Sequence, residues 1–317
     1  IGVLGLGAWL VLRGELTGGG MIAASILLSR ALAPVEHAIG AWKSFVAARA
    51  SHDRLLLLLR RHPERAAAIR LPVPEGRVSA AELTFKASNS QRLLLRNVAF
   101  ELEAGEVLAV VGPSGSGKST LCRLITGVLP PTSGHVRLDG AEVHSWERSD
   151  FGRHVGYLPQ DIELFAGTVR DNIARLGDAP DQMVIEAARL AGVHEMILRL
   201  PAAYATEIGP QGAALSGGQR QRIGLARAMF GAPSLVVLDE PSASLDGTGE
   251  AALVDAIGRL KARGTTVVLV AHRPRLLVHV DKLLVLRDGA GVLFGPRDQI
   301  LPQLTAPPSA RVLAAAS

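Results

Sequence analysis

The chain has 317 residues, enough for one large domain or two smaller ones, with 48% hydrophobic residues and a net charge of +5 from 34 basic and 29 acidic side chains. A mean hydropathy of +0.26 is high for a wholly soluble protein and low for one made only of membrane spans, and it fits a membrane piece joined to a soluble one. The mild basic bias, with no lysine-rich block and no interleaved aromatics, argues against a nucleic-acid partner. The single cysteine, Cys122, excludes an internal disulfide and a cysteine metal cluster, and it suits a reducing cytoplasmic setting.

Residues 1–12, IGVLGLGAWLVL, are apolar or glycine throughout but fall short of the roughly 20 residues a membrane-crossing helix needs. A buried helix and the end of a membrane helix are both consistent with them. The chain starts inside this run without an initiating Met, from which we expect a fragment of a longer protein. MIAASILLSRALA (21–33) resumes the apolar pattern, although Arg30, Glu36 and His37 make the window an impure span. From Ala41 to Arg70 the pattern is that of a long amphipathic helix, and LPVPEGRVS (71–79), with two prolines and a glycine, reads as a linker.

Beyond the linker, AELTFKA, LRNVAFEL, EVLAVV, TVVLVAH and KLLVLRDG read as strands. DQMVIEAARLAG and GEAALVDAIGRLKARG read as helices between them. Such alternation predicts a mainly parallel sheet with helices on its faces.

GPSGSGKST follows EVLAVV and precedes the helical STLCRLITGVL. Its members are Gly112, Pro113, Ser114, Gly115, Ser116, Gly117, Lys118, Ser119 and Thr120, matching the phosphate-loop spacing G-x-x-x-x-G-K-[ST] in the expected strand-to-helix context. Glycines let consecutive amides converge on an anion at a helix start; Lys118 would reach the β and γ phosphates and Ser119 would help hold Mg²⁺. The run Leu235–Leu238 ends at Asp239 and Glu240. Asp239 is placed for the Mg²⁺ shell and Glu240 to orient or deprotonate a water, provided the strand ends there, since neighbours on a strand point to opposite faces. Pro241 supports that ending. Gln160, after VGYL, would complete the Mg²⁺ shell, and His272, after VVLVA, would donate to the γ phosphate or the water. Alone, either is more often a surface residue. LSGGQRQR (215–222) is a poor core strand and a weak helix interior, which raises the question of what it touches.

Together these residues resemble the ATP-binding cassette (ABC) transporter family. GPSGSGKST is similar to its phosphate loop, LPQD to its glutamine loop, LSGGQRQR to its signature, LVVLDEP to its second nucleotide motif, SASLD to its dimer-contact loop and the histidine of VAHRP to its switch histidine, over about residues 80–300 and in the family's order. The resemblance implies an α/β P-loop NTPase nucleotide-binding domain of ABC type, with an antiparallel β subdomain and a helical subdomain, preceded by the end of an all-α transmembrane domain. It also implies head-to-tail pairing, in which Ser216, Gly217, Gly218 and Gln219 of one copy face the ATP held by the other, and Asp246 contacts the opposing phosphate loop. Glu207 and Gly209 resemble the segment by which exporters sense the membrane domain. Ala87 stands where the family usually has an adenine-stacking aromatic, which puts base stacking in doubt.

Phrases outside these motifs, among them ELTGGGMIAASILLSRALAPVEHAIGAWKSF, AGVHEMILRLP and FGPRDQ, resemble type I secretion permease-ATPases of the exporter branch for proteases, lipases and related calcium-binding repeat proteins. By that resemblance residues 1–13 end the fifth transmembrane helix and residues about 20–40 belong to the sixth. The implied partition is 1–60 membrane domain, 61–79 linker, 80–303 nucleotide-binding domain and 304–317 flexible tail. The implied function is ATP-driven export of unfolded protein across a bacterial inner membrane by a multi-pass protein with a cytoplasmic ATPase domain. The implied partners are a second ABC subunit, a periplasmic membrane-fusion adaptor, an outer-membrane channel and the exported cargo. An exporter of small peptides or lipids, and a soluble ABC ATPase that moves no cargo, are the alternatives.

Overall fold

The computed structural model describes residues 2–61, 71–87, 92–271 and 273–305. The chain divides into two compact units, Ile1–Ala66 and Ala67–Ser317.

The first unit is two helices, α1 (Gly2–Leu12) and α2 (Gly18–Arg61). Gly7 is the buried residue of α1, and a Cβ there would come within 2.6 Å of the Met21 side chain, so its bare backbone allows the two helices to meet. The expected span and the expected amphipathic helix as far as Arg61 form one continuous 44-residue helix with Pro34 inside it, and the remainder of the expected helix, residues 62–70, lies outside the described residues. At 1.5 Å per residue α2 runs about 66 Å, roughly twice the thickness of a bilayer's hydrocarbon core. Ile22, Ile26, Leu27, Leu32, Val35 and Ile39 all face outward. Among the described residues α2 is the one helix long and apolar enough to cross a membrane, and α1 is too short.

The second unit is built on a ten-stranded sheet. Its elements are β1 (Val78–Lys86), β2 (Leu93–Leu102), β3 (Val107–Val111), α3 (Lys118–Ile125), β4 (Ser133–Leu138), β5 (Ala141–Glu142), α4 (Arg148–His154), β6 (Val155–Leu158), α5 (Val169–Ile173), α6 (Asp181–Leu190), α7 (His194–Leu198), α8 (Gly217–Met229), β7 (Leu235–Leu238), α9 (Gly247–Ala262), β8 (Thr266–Val270), β9 (Lys282–Arg287), β10 (Ala290–Pro296) and α10 (Arg297–Thr305). The strand order is β5-β4-β1-β2-β10-β9-β3-β8-β7-β6. From β9 to β6 all pairs are parallel, whereas β5, β4, β1 and β2 pair antiparallel.

The five parallel strands are short apolar runs because both their faces are covered. Val107, Ala109, Val236, Leu238, Val267 and Leu269 pack on the side of α5, α6, α8 and α9. Their alternates Leu108, Val110, Leu235, Val237, Val268 and Val270 pack on the side of α3, with Leu121, Cys122, Leu124 and Ile125, and of the antiparallel strands. This two-faced burial sets the C-terminal ends of β3, β6, β7 and β8 side by side.

Residues 71–77 lie against the opposite end of the sheet. Ser234 Oγ donates to the Pro74 carbonyl at 2.6 Å, Thr266 Oγ1 to the Gly76 carbonyl at 2.7 Å, and the amides of Gly76 and Arg77 donate to the Asp139 carboxylate.

Candidate functional site

The loop between β3 and α3 is shaped by its glycines. Gly117 caps α3 at φ +100°, and a Cβ there would lie 2.6 Å from Leu95 Cδ2 and 2.8 Å from the Leu94 carbonyl oxygen. Gly112 is held as tightly, its added Cβ meeting the Leu286 carbonyl oxygen at 2.2 Å. Pro113, Ser114 and Gly115 form the exposed rim of the loop, while Ser116 and Lys118 are buried and Ser119 and Thr120 half-buried. Lys118 Nζ donates to the carbonyls of Gly112 (3.0 Å) and Pro113 (2.8 Å). Burial lowers its pKa, opposed by the nearby carboxylates of Glu240 and Asp239. A cation held by weak neutral acceptors of its own loop is poised to exchange them for phosphate oxygens.

The carboxylates come from the end of β7. That strand stops at Leu238, and Glu240 adopts φ +51°, a conformation costly for a residue with a side chain. The turn lets successive carboxylates serve one place. Ser119 Oγ lies 3.2 Å from Asp239 Oδ1, to which it donates, and 3.5 Å from Gln160 Oε1, while Gln160 Nε2 donates to Glu240 Oε2 at 3.3 Å. Gln160 arrives from the end of β6, whose Leu158 carbonyl accepts from the Asp239 amide at 2.8 Å. Four residues spread over 122 positions therefore close into one polar circuit at the phosphate loop. Asp239 is fully buried; desolvation raises its pKa, Ser119's bond pulls it back, and the Glu240 charge adds to the rise.

The donor set fits Mg²⁺. Asp239 Oδ2 is buried and has no hydrogen-bond partner among the described residues, and a hydroxyl, an amide oxygen and a carboxylate are the hard oxygen ligands that ion takes beside substrate phosphates. Among the described residues no cluster of three His, Cys, Asp or Glu offers a separate metal centre.

LSGGQRQR is the N-terminus of α8. Ser216 is its N-cap: Ser216 Oγ accepts from the Gln219 amide (3.3 Å) and Gln219 Oε1 from the Ser216 amide (2.8 Å), a reciprocal capping box. Ser216 and Gly217 are exposed, and Gly218 sits where a Cβ would be 3.2 Å from the Ser244 carbonyl oxygen. No hydrogen bond among the described residues joins Ser216–Gln219 to the phosphate-loop set. Asp246 caps α9, accepting from the Gly249 amide (2.7 Å), Thr248 Oγ1 (3.0 Å) and Arg222 Nη2 (2.9 Å), and the first two of these bonds lead in lowering its pKa. His272 lies outside the described residues. Glu207 is exposed and bridges to Thr168, and Gly209 follows at φ +70°. Ala87 directly follows β1, with residues 88–91 outside the described set.

Two residues that sequence reasoning passed over join the site. Gln221 Nε2 donates to the Pro241 carbonyl at 2.9 Å, and Arg222 pairs with Asp246 at 2.9 Å. Both lie inside LSGGQRQR, but nothing in the phrase marks which of its polar side chains turn inward.

A phosphate loop, a strand-end carboxylate pair and a capped glycine signature on one sheet define an ABC-type nucleotide-binding domain. Residues 95–243 match the ABC transporter family. The chain is 50% identical to the type I secretion system ATP-binding protein PrsD of Rhizobium meliloti (strain 1021), over 96% of this chain and 53% of that protein. It is 36% identical to the leukotoxin translocation ATP-binding protein LktB of Mannheimia haemolytica, over 94% of this chain and 42% of that protein. Among solved structures, a bacterial Atm1-family ABC exporter with ATP bound superposes with a TM-score of 0.79 at 27% identity, covering 100% of this chain and 56% of that one. The chain belongs to the ABC transporter superfamily, and it spans about half the length of the relatives it matches.

Proposed function

We propose that the protein is the ATP-hydrolysing subunit of a type I secretion exporter, moving large unfolded polypeptides across a bacterial inner membrane. The observation that carries the reading is the circuit of Ser119, Asp239, Gln160 and Glu240 at the phosphate loop, together with 50% identity to a type I secretion ATP-binding protein.

In this reading the loop amides and Lys118 bind the β and γ phosphates, Lys118 giving up the Gly112 and Pro113 carbonyls. Mg²⁺, held by Ser119, Gln160 and Asp239, supplies charge neutralisation at the phosphoryl oxygens when bound. Glu240 orients the attacking water and accepts its proton, and His272 donates a hydrogen bond to the γ phosphate or the water. Gln160 reports the state of the site, because its amide contacts both Ser119 and Glu240. Ser216, Gly217, Gly218 and Gln219 of a second copy complete the site, and Asp246 links the paired sites. ATP then holds two copies together until its hydrolysis removes a bridging charge.

The membrane domain comprises α1, α2 and helices upstream of Ile1, in a multi-pass protein whose nucleotide-binding domain is cytoplasmic. A periplasmic adaptor and an outer-membrane channel complete the path for the cargo. The test is a secretion assay in cells carrying the intact gene with Glu240→Gln. Cargo retained inside the cell is expected. Normal secretion beside abolished hydrolysis would point to a peptide or lipid exporter.

A further inference from the structure

We propose that Gln221 is a positioning residue for Glu240, binding the signature helix to the hydrolytic turn of the same protomer; this rests on the reading of Glu240 as the base.

Gln221 is only 3% exposed and lies on α8 among Ile223, Gly224 and Leu225, where an amide without a partner would be costly. Its partner is the carbonyl of Pro241, the residue directly after Glu240. Pro241 has no N–H, so this stretch lacks one of the donors by which a chain usually fixes its own turn. Glu240 itself sits at φ +51°, a conformation that persists only where the surroundings hold it. Its carbonyl accepts from the Ala243 amide at 3.2 Å, and the next carbonyl is held from α8.

Two further contacts lie on the same helix. Arg222 grips Asp246 at the far end of the segment 241–246, and Gly218 packs against Ser244 at its middle. One helix thus touches the turn at its beginning, middle and end. Gln221 stands five residues, about 7.5 Å of helix rise, from Ser216. A displacement of the α8 N-terminus on meeting a phosphate is therefore passed to the backbone that aims Glu240. The signature serves the neighbour's ATP, so the contact ties occupancy of one site to the geometry of the other.

The test uses Gln221→Met, which keeps the length and volume and removes the donor, in the intact protein reconstituted in lipid nanodiscs. The expected result is a tenfold or greater loss of kcat with the KM for ATP changed less than twofold and Tm little altered. In a Glu240→Gln background, single-turnover hydrolysis should fall less than twofold further on adding Gln221→Met. A second full tenfold loss there means that Gln221 acts independently of Glu240 and overturns the inference. So does unchanged kcat in Gln221→Met when Glu240→Gln alone is impaired. Near-parental hydrolysis by Glu240→Gln overturns the reading of Glu240 and the inference with it. Gln221→Asn, which retains the amide but withdraws it, should give the same split between kcat and KM if Gln221→Met does not fold.

Discussion

The phosphate-loop region and the signature region lie on the same sheet scaffold and are finished to different degrees. At the phosphate loop Lys118 holds loop carbonyls, Ser119 pairs with Asp239 and Gln160 with Glu240, and among the described residues only Ser116 Oγ and Asp239 Oδ2 are left there buried without a hydrogen-bond partner. At the signature, among the described residues, the side chains of Ser216 and Gln219 bond only each other's amides, and the glycine at 217 lies open. The first region is built to hold charge, at the cost of a buried carboxylate whose pKa burial has raised. The second is built to present donors at an exposed helix start, where an anion is favoured. The difference teaches that one chain carries two unlike regions, which in the proposed head-to-tail pair would be the two halves of one site.

Substitutions on the two sides should separate these roles. The largest effect is expected for Glu240→Gln: phosphate release falls by roughly 10²- to 10⁴-fold, the span typical of a lost general base, while ATP-driven pairing persists in size-exclusion measurements. Normal turnover by this variant would remove Glu240 from the chemistry. Next is Gly117→Ala, where the added methyl meets Leu95 and the Leu94 carbonyl at a left-handed position. Equilibrium binding of a fluorescent ATP analogue should weaken by at least about tenfold, since several loop amides lose their aim together. The equivalent change at Gly217, whose added Cβ has only Ser244 nearby at 3.9 Å, should leave binding to the isolated phosphate loop unchanged.

The smallest effect concerns pH. A carboxyl whose pKa is raised on folding stabilises the fold below its unfolded value and loses that contribution as pH rises through its folded value. Asp239 is such a group, through desolvation first and the Glu240 charge after Ser119's opposing bond. Without nucleotide and Mg²⁺, Asp239→Asn should therefore raise Tm by a few degrees at pH 8, with the gain shrinking as pH falls into the carboxylate range. Calorimetry across pH checks the sign; a lower Tm for Asp239→Asn at pH 8 would mean that the carboxylate is better satisfied than its burial implies.

Much of the first half-site is legible in sequence, because its residues announce themselves locally. Gly117, Lys118 and Ser119 sit at a fixed spacing after an apolar strand, and Asp239 and Glu240 end another. The left-handed turn at Glu240 is less legible; Pro241 hints at the strand's end, but the conformation that aligns both carboxylates depends on packing. LSGGQRQR reads as a weak helix interior by propensity, yet Ser216 and Gln219 have the spacing of a capping box, so the helix start could be read from the same letters. The contacts of Gln221 with Pro241 and of Arg222 with Asp246 join positions 20 and 24 apart. Only the topology that brings α8 against β7 and α9 makes them neighbours. In the first unit, Arg30, Glu36 and His37 make the apolar window an impure span in sequence, whereas α2 runs unbroken through all three from Gly18 to Arg61.

The claim that two unlike half-sites complete each other is tested most directly by mixing two variants of the intact protein, Lys118→Ala and Ser216→Arg, and measuring ATP hydrolysis. Lys118→Ala spoils the phosphate loop and Ser216→Arg spoils the signature, so each pure dimer has two damaged sites, while a mixed dimer has one site damaged twice and one intact. The expected result is that both variants are nearly inactive alone and that an equal mixture regains up to about a quarter of parental activity, since half the symmetric pairs are mixed and each of those has one intact site. Parental hydrolysis by Ser216→Arg alone, or a mixture no more active than its components, would contradict it.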